Sequence, residues 1–273
     1  MVSREQLITA CCEKFDDVNH ELSIFMGSVR TWFEMHPKLI RGARPVIHSV
    51  KSRIKDREHL AEKINRKLEL IEGEIEADDL FNRLTDLSGV RILLLHQQQY
   101  RDVHAEFLKK ISNDWYLVEP PKAYTWDPES ADFFRSLGID TQVKDSQYTS
   151  LHYVVRPRAG ADVVCEIQVR TLFEEIWGEV DHALNYPAPT DNVACSEQLR
   201  VLAKLVGAGS RLVDSIYRSS QPMEVVGTET IVERAEASVE HLAQTAPSAP
   251  TPPAEPPQVR PDEEGAPTNP EIF

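Results

Sequence analysis

The sequence predicts an α/β protein of the α+β kind, with a mixed sheet of about five strands flanked by helices. Three observations lead to this fold class. Apolar residues alternate with polar ones in short segments, as in strands. Between these segments apolar residues recur every three or four positions, as in amphipathic helices. The chain of 273 residues is also long enough for one domain of about 200 residues or for two smaller domains.

The first quarter of the chain shows helical and then strand-like spacing. Residues 3–34 have a helical pattern, and Pro37 ends it. Residues 46–55 alternate, which predicts a strand with basic residues on one face. Asp56 is expected to cap the helix that follows.

The middle of the chain begins with its most apolar segment. Residues 89–95 form a nearly continuous apolar run, which is typical of a central strand. We expect a helix at 99–111 and a short strand at 115–118. Residues 120–147 are polar and contain prolines, so we interpret them as a long loop with one helical turn near 131–137.

Two further strands and a helix complete the predicted sheet region. Residues 150–155 and 163–171 alternate, and a hairpin through Gly160 would pair them. Thr171 is placed to cap the next helix. That helix carries an apolar stripe made of Phe173, Ile176, Trp177, Val180, Ala183 and Leu184.

Changes in composition divide the chain into four parts. We expect N-terminal helices at 1–40, a core at 41–190, C-terminal helices at 191–245 and a proline-rich tail at 246–273. The tail contains 9 of the 18 prolines and almost no large apolar residues. Such a segment buries too little surface to become ordered, so we expect disorder there.

The net charge and the pattern of cysteines argue against several classes of function. A formal net charge of −14 disfavours non-specific binding to nucleic acid, because such binding depends on neutralising phosphates. The cysteines show neither metal-ligand spacing nor a disulfide pattern, which favours a reducing cytoplasm; they are Cys11, Cys12, Cys165 and Cys195. Neither a signal sequence nor an apolar run of membrane-spanning length is evident, so we expect no membrane partner.

Basic residues cluster on the first predicted strand and the helix after it. Lys51, Arg53 and Lys55 share one strand face, and Lys63 lies two turns into the helix. Several fixed cations are what a polyphosphate requires. An ordinary charged surface strand would explain the same pattern.

Acidic residues mark two other strands. Asp86 precedes the central strand that contains Arg91, and Glu166 shares a strand face with Gln168 and Arg170. Two carboxylates from neighbouring strands would bind Mg²⁺ and accept a proton from an attacking hydroxyl. Asp86 on its own would equally be explained as a turn or cap residue. The sequence contains neither a P-loop nor a glycine-rich dinucleotide fingerprint, so side chains would hold any nucleotide.

Several short motifs, taken in order, resemble the synthetase domain of the RelA/SpoT family over about residues 40–190. They are Lys51–Lys55, Asp86–Arg91, Tyr148–His152, Glu166–Thr171, and Trp177 with His182–Tyr186. The resemblance implies a nucleotidyltransferase-like fold. It also implies a GTP pyrophosphokinase of the stringent response, which transfers the β,γ-pyrophosphate of ATP to the 3′-hydroxyl of GTP or GDP with Mg²⁺.

The resemblance also implies a role for each matching residue. Asp86 and Glu166 would bind Mg²⁺, and Glu166 would help to deprotonate the 3′-hydroxyl. The residues that would bind ATP are Lys51, Arg53, Lys55, Lys63 and Arg91, with the two arginines enclosing the adenine. The residues that would bind the acceptor are Lys144, Tyr148, His152, Gln168 and Arg170, with Tyr148 stacked on the base and His152 near the phosphates. Structural roles for Tyr148 and His152 are the alternative.

The sequence departs from the family pattern at two places. His59 and Leu60 stand where the family often has Ser-Ile, and residues 144–147 precede Tyr148 where a glycine is common. The chain resembles the small single-domain alarmone synthetases, some of which form tetramers through helices after the core. Residues 196–217 would serve such a homo-oligomer.

Three functional hypotheses follow from the sequence. The first is a small alarmone synthetase with ATP and GTP or GDP as partners. The second is a toxin of the same fold that makes adenosine alarmones or pyrophosphorylates the 3′ end of tRNA, and that needs a neutralising antitoxin. The third is an inactive nucleotide-binding module. The acidic charge disfavours tRNA, and the presence of both Asp86 and Glu166 disfavours the inactive module.

Overall fold

Helices and strands follow one another in the order that the sequence predicts, with additional short elements. The computed structural model describes residues 3–220 except 43, 72, 145–146 and 186–188. The part of the predicted C-terminal helices that follows residue 220 and the proline-rich tail at 246–273 lie outside the described residues.

The helices and strands are numbered in chain order. They are α1 (Arg4–Met35), α2 (Pro37–Ile40), β1 (Ile47–Ile54), α3 (Arg57–Glu69), α4 (Ala77–Asn82), β2 (Ser88–Leu94), α5 (Gln99–Asn113), β3 (Tyr116–Leu117), β4 (Lys122–Tyr124), α6 (Pro128–Ser136), β5 (Asp140–Gln142), β6 (Ser150–Arg156), β7 (Cys165–Thr171), α7 (Leu172–Asn185) and α8 (Val193–Ser219).

Within the described residues, the sheet has seven strands and mixed pairing. Its order is β1-β2-β7-β6-β4-β5, and β3 also pairs with β6. The β2–β7 and β4–β5 pairs are parallel, and the other pairs are antiparallel. The five predicted strands are present, so the predicted mixed sheet is confirmed. The hairpin between β6 and β7 is confirmed as well.

The long loop predicted at 120–147 is wrong, because this segment contains β4 and β5. The helical turn predicted near 131–137 is present as part of the longer helix α6. The two strands have three residues each, which is too short for an alternating pattern to show in the sequence. Pro128 occupies the first turn of α6, where proline is compatible with a helix, and Asp127 caps that helix. The same proline therefore begins a helix here rather than interrupting one.

Side-chain caps explain where several helices begin. Asp56 accepts hydrogen bonds from the backbone N–H groups of Glu58 and His59, as predicted. At α7 the backbone N–H of Glu174 donates to the hydroxyl of Thr171, and the backbone N–H of Thr171 donates to the Glu174 carboxylate. This reciprocal pair is a capping box, and it fixes the turn from β7 into α7.

One face of the sheet is apolar and carries the core. Buried residues of β2, β6 and β7 pack there against α1, α5 and α6. Among them are Ile92, Tyr153 and Ile167, each with 1% or less of its surface exposed. Because strand residues alternate between faces, the polar residues of β1, β2 and β7 lie on the opposite face.

The predicted apolar stripe of α7 is divided between two environments. Trp177 is buried against α8, and its indole N–H donates to the backbone carbonyl of Leu199 at 3.1 Å. Ile176, Val180 and Leu184 are exposed, because α8 packs against only one side of the stripe. No helix among the described residues is long and apolar enough to cross a membrane.

Candidate active site

A cleft of about 310 Å³ lies over the polar face of the sheet, where β1, β2 and β7 are adjacent. Its lining consists mainly of charged and polar groups. The lining residues are Lys51, Ser52, Arg53, Asp86, Gly89, Val90, Arg91, Glu166, Gln168 and Glu179. Six of the twelve residues that the sequence singles out therefore line this cleft, and they are Lys51, Arg53, Asp86, Arg91, Glu166 and Gln168. Tyr148 and Arg170 line the adjoining cavity described below.

Strand register places the lining residues in rows across the sheet. Lys51 pairs with Arg91, Arg91 with Gln168, and Gln168 with His152. In the next row Arg53 pairs with Gly89, and Gly89 with Glu166. Because paired residues point to the same side of a sheet, Gly89 leaves a gap between a guanidinium group and a carboxylate.

Asp86 lies at the entrance to β2 and is held by two lysines. Its Oδ2 atom is 3.0 Å from Nζ of Lys55 and 2.6 Å from Nζ of Lys63. Burial opposes ionisation of the carboxyl group, but the two ammonium groups more than compensate and lower the pKa of Asp86. The other oxygen, Oδ1, is buried and has no hydrogen-bond partner in the described part of the chain.

Glu166 lies on β7 and accepts a hydrogen bond on each carboxylate oxygen. Oε1 is 3.1 Å from Nδ1 of His152, and Oε2 is 2.7 Å from Nε2 of Gln168. Burial opposes ionisation here too, but the interaction with His152 more than compensates, so the pKa of Glu166 is lowered. The negative charge of Asp86 acts in the opposite direction and raises the pKa of Glu166.

Asp86 and Glu166 together fit a magnesium ion that retains some of its water. The described residues contain no group of three or more His, Cys, Asp and Glu side chains that would enclose a metal. Mg²⁺ is commonly bound by only one or two carboxylates, with waters and substrate phosphates completing the octahedron. The buried Oδ1 of Asp86, which has no hydrogen-bond partner in the described chain, would serve as such a ligand.

Glu175, on α7, forms ion pairs with three basic residues of the site. It is 5% exposed and contacts three basic residues: Nζ of Lys51 at 3.0 Å, Nη1 of Arg91 at 2.8 Å and Nη1 of Arg170 at 3.4 Å. Burial raises its pKa, but these three positive charges, with Arg91 the strongest, more than compensate and lower it. Glu179 holds the same Nη1 atom of Arg91 at 2.8 Å.

The sequence analysis did not identify Glu175 and Glu179 as site residues. Their helical spacing on α7 was the available signal, because one turn separates them and places both on the same face. By contrast, Arg53 forms neither a hydrogen bond nor an ion pair with any residue that the structure describes, and its guanidinium group remains available at the cleft.

A second cavity of about 330 Å³ adjoins the first and lies beside α7. It shares Arg53, Arg91, Gln168 and Glu179 with the first cleft. The residues that belong only to its own lining are Tyr148, Arg170, Gly178, Asp181, His182 and Asn185. Two adjoining cavities with a common wall are suited to bind two ligands side by side.

The predicted acceptor residues occupy different positions around this second cavity. The guanidinium group of Arg170 lies 4.7 Å from the centre of the Tyr148 ring and so covers one face of it. The hydroxyl of Tyr148 is 2.9 Å from Nε2 of His152. Lys144 lies over the ring of Tyr124, with Nζ 4.4 Å from the ring centre, and lines neither cavity.

A family model described as a region found in RelA/SpoT proteins matches residues 52–191, which is slightly more than half of the chain. This chain belongs to the RelA/SpoT family. The match begins within β1 and covers Asp86, Glu166 and the whole of α7, so it contains nearly all of the cleft. Among curated proteins, none matches the chain.

Several solved structures share the fold of this chain. Small alarmone synthetase 1 from Bacillus subtilis, bound to its product pppGpp, is 20% identical with a TM-score of 0.55; the match covers 76% of this chain and 95% of that one. A GTP pyrophosphokinase family protein from Streptococcus pneumoniae is 20% identical with a TM-score of 0.50, covering 78% and 95%. The predicted RelA/SpoT family and its synthetase fold are thereby confirmed.

Proposed function

We propose that this RelA/SpoT protein is a small alarmone synthetase that transfers the β,γ-pyrophosphate of ATP to the 3′-hydroxyl of GTP or GDP. The observation that carries the proposal is that Asp86 and Glu166 line one cleft, with Lys51, Arg53 and Arg91 in the same wall. Carboxylates for a divalent cation and cations for a polyphosphate are the two requirements of phosphoryl-type transfer.

In this proposal the first cleft receives ATP and the adjoining cavity receives the acceptor. Lys51, Lys55 and Lys63 are near enough to the cleft to neutralise the phosphates of ATP. Arg53 and Arg91 would enclose the adenine, and both line the wall that the two cavities share. Solved relatives from Bacillus subtilis were crystallised with AMPCPP and with pppGpp, ligands that correspond to these two classes.

Glu166 acts as the general base in the proposed reaction. Its carboxylate takes the proton of the 3′-hydroxyl while the hydroxyl oxygen forms a bond to the β-phosphorus of ATP. The bond between that phosphorus and the α,β-bridging oxygen breaks, and AMP leaves with the electron pair. Mg²⁺ held by Asp86 and Glu166 would supply charge neutralisation on the phosphate oxygens.

An acceptor panel tests the proposed activity. The purified protein is incubated with Mg²⁺, ATP labelled at the γ-phosphate, and GDP, GTP, GMP, ADP, ATP or tRNA in turn. We expect label in GTP or GDP. Label in adenine nucleotides or tRNA would indicate the toxin instead, and an absence of transfer to every acceptor would indicate an inactive module.

Two further properties belong to the same proposal. We expect the enzyme to act in the cytoplasm, where its nucleotide substrates are found. We also expect a homo-oligomer, such as a tetramer, because α7 and α8 expose apolar side chains that a second copy would cover. These residues are Ile176, Val180, Leu184, Val201, Leu205, Leu212 and Ile216.

A further inference from the structure

Arg170 is a buried cation in the lining of the second cavity, where the acceptor is proposed to bind. Its side chain is 7% exposed. Its Nη2 atom donates to Oε1 of Gln168 at 2.7 Å and also to the hydroxyl of Tyr148, and Nη1 faces Glu175. Most of its donors are therefore committed to protein groups, and a phosphate would have to displace them.

Two chains of hydrogen bonds lead from this guanidinium group to Glu166. The shorter chain passes through Gln168. The amide oxygen of Gln168 accepts from Arg170, which leaves its NH₂ group to donate to Oε2 of Glu166 at 2.7 Å. Because an arginine only donates, the orientation of this amide is determined by its two partners.

The longer chain passes through Tyr148 and His152. An ionised Glu166 can only accept, so Nδ1 of His152 carries the proton in the 3.1 Å contact with Oε1. In a neutral ring Nε2 is then an acceptor, and the hydroxyl of Tyr148 donates to it at 2.9 Å. Tyr148 is free to do so because its oxygen accepts from Arg170. Every bond in this chain points from Arg170 toward Glu166.

We propose that Arg170 is a positioning residue for Glu166, which it orients through Gln168 on one side and through Tyr148 and His152 on the other. This inference rests on the proposed function, in which Glu166 is the general base. With one donor on each oxygen, the carboxylate cannot rotate without breaking a hydrogen bond. Glu166 lines the first cleft, and the 3′-hydroxyl of an acceptor bound in the adjoining cavity would reach it there.

Gly178 provides the space that this arrangement requires. A Cβ atom at position 178 would lie 2.8 Å from Nη1 of Arg170, which is too close for a carbon–nitrogen contact. The guanidinium group is the flexible end of its side chain, so an alanine would displace it rather than unfold α7. Alanine is also the better helix former.

The experiment compares Gly178→Ala with a matched control and with Tyr148→Phe. Gly27 lies in α1, and a Cβ there meets nothing within 4 Å, so Gly27→Ala introduces the same substitution in open space. Tyr148→Phe retains the ring for stacking but removes the hydroxyl. We expect kcat to fall at least about tenfold in Gly178→Ala and Tyr148→Phe, with KM for ATP and for the acceptor within about twofold, and no change in Gly27→Ala.

A second measurement does not depend on activity. Nitrogen NMR of the His152 ring, recorded at a pH where the imidazole is neutral, reports which nitrogen carries the proton. We expect the Nδ1–H tautomer in the unaltered protein and in Tyr148→Phe, because Glu166 accepts from Nδ1 in both, and we expect the Nε2 resonance to shift in Tyr148→Phe, because the hydrogen bond from the Tyr148 hydroxyl is lost. An Nε2–H tautomer in the unaltered protein, an Nε2 resonance that does not shift in Tyr148→Phe, or an acceptor KM that rises at constant kcat in Gly178→Ala would overturn the inference. Failure of the proposed function would instead appear as an absence of transfer in the unaltered protein.

Discussion

The ammonium group of Lys63 lies 2.6 Å from Oδ2 of Asp86, and Lys55 contacts the same oxygen at 3.0 Å. Two cations therefore occupy one side of a carboxylate whose other oxygen has no partner in the described chain. This arrangement keeps Asp86 ionised. It also means that the two lysines would compete with a divalent cation for the negatively charged carboxylate of Asp86.

Lys63→Ala is expected to change metal binding and nucleotide binding in opposite directions. Without the ammonium group, Asp86 should bind free Mn²⁺ more tightly, whereas the complex of Mg²⁺ and ATP should bind at least about fivefold more weakly, because one phosphate contact is lost. Lys67, one turn further along α3, contacts the backbone carbonyl of Arg83 instead and provides the control as Lys67→Ala. Calorimetric titration measures the affinity for each ligand. If both affinities rise or both fall in Lys63→Ala, the proposed competition between lysine and metal is contradicted.

Gly89→Val tests whether the gap between Arg53 and Glu166 is a ligand site. A Cβ at position 89 meets only the backbone carbonyl of Glu166, at 3.9 Å, so the strand can accept a side chain. Valine favours strands, and we expect the free energy of unfolding to stay the same or to rise by up to about 1 kcal/mol. ATP affinity should fall at least about tenfold, because the added methyl groups fill the cleft. Unchanged ATP affinity would place the nucleotide elsewhere.

Glu174 and Glu175 lie side by side at the start of α7. As the pH rises, we expect their contributions to the free energy of unfolding to change in opposite directions. Burial raises the pKa of Glu174 above its ordinary 4.5, although Tyr100 and Thr171 donate to it. Its contribution to stability is therefore greatest below pH 4.5 and is lost as the pH rises through the folded-state pKa. The pKa of Glu175 is lowered, so its contribution is present above pH 4.5 and is lost as the pH falls through the folded-state pKa.

Denaturant unfolding between about pH 3 and pH 7 measures this difference. In Glu175→Gln, the free energy of unfolding should increase less than in the unaltered protein as the pH rises from about 3. In Glu174→Gln, it should decrease less than in the unaltered protein as the pH rises above 4.5. Identical pH profiles for the two variants would contradict the assignment.

Leu205→Glu tests the proposed homo-oligomer. Leu205 is 64% exposed on α8, and a buried carboxylate at a subunit contact is unfavourable unless it is paired. We expect the molar mass measured by light scattering to fall to that of a single chain. Lys204→Glu, at the neighbouring exposed position, is the control and should leave the mass unchanged. A single-chain mass for the unaltered protein would contradict the proposal.

Much of the fold could be predicted because its elements carry strong local patterns. The alternation in β7 and the apolar run of β2 define central strands, and Asp56 and Thr171 mark helix starts. The three-residue strands β4 and β5 could not be predicted, because β4 depends on pairing with β6, and β5 on pairing with β4, rather than on their own sequence.

The site residues that lie on strand faces could be predicted from the sequence. Residues that alternate on β1, β2 and β7 must share a face once the strands pair. The contacts of Glu175 could not be predicted, because they depend on how α7 packs over the sheet. The same packing places Gly178 against the guanidinium group of Arg170. These are tertiary relationships between residues that have no signature in the local sequence.

The central claim is that Asp86 and Glu166 bind one divalent cation together with the phosphates of ATP. Electron paramagnetic resonance of Mn²⁺, titrated into the protein with a non-hydrolysable ATP analogue, tests it most directly. We predict one tight site in the unaltered protein and a loss of affinity of at least about tenfold in Asp86→Asn and in Glu166→Gln. Asp78→Asn, at an exposed surface ion pair, should bind normally. Undiminished Mn²⁺ binding in both cleft variants would contradict the account.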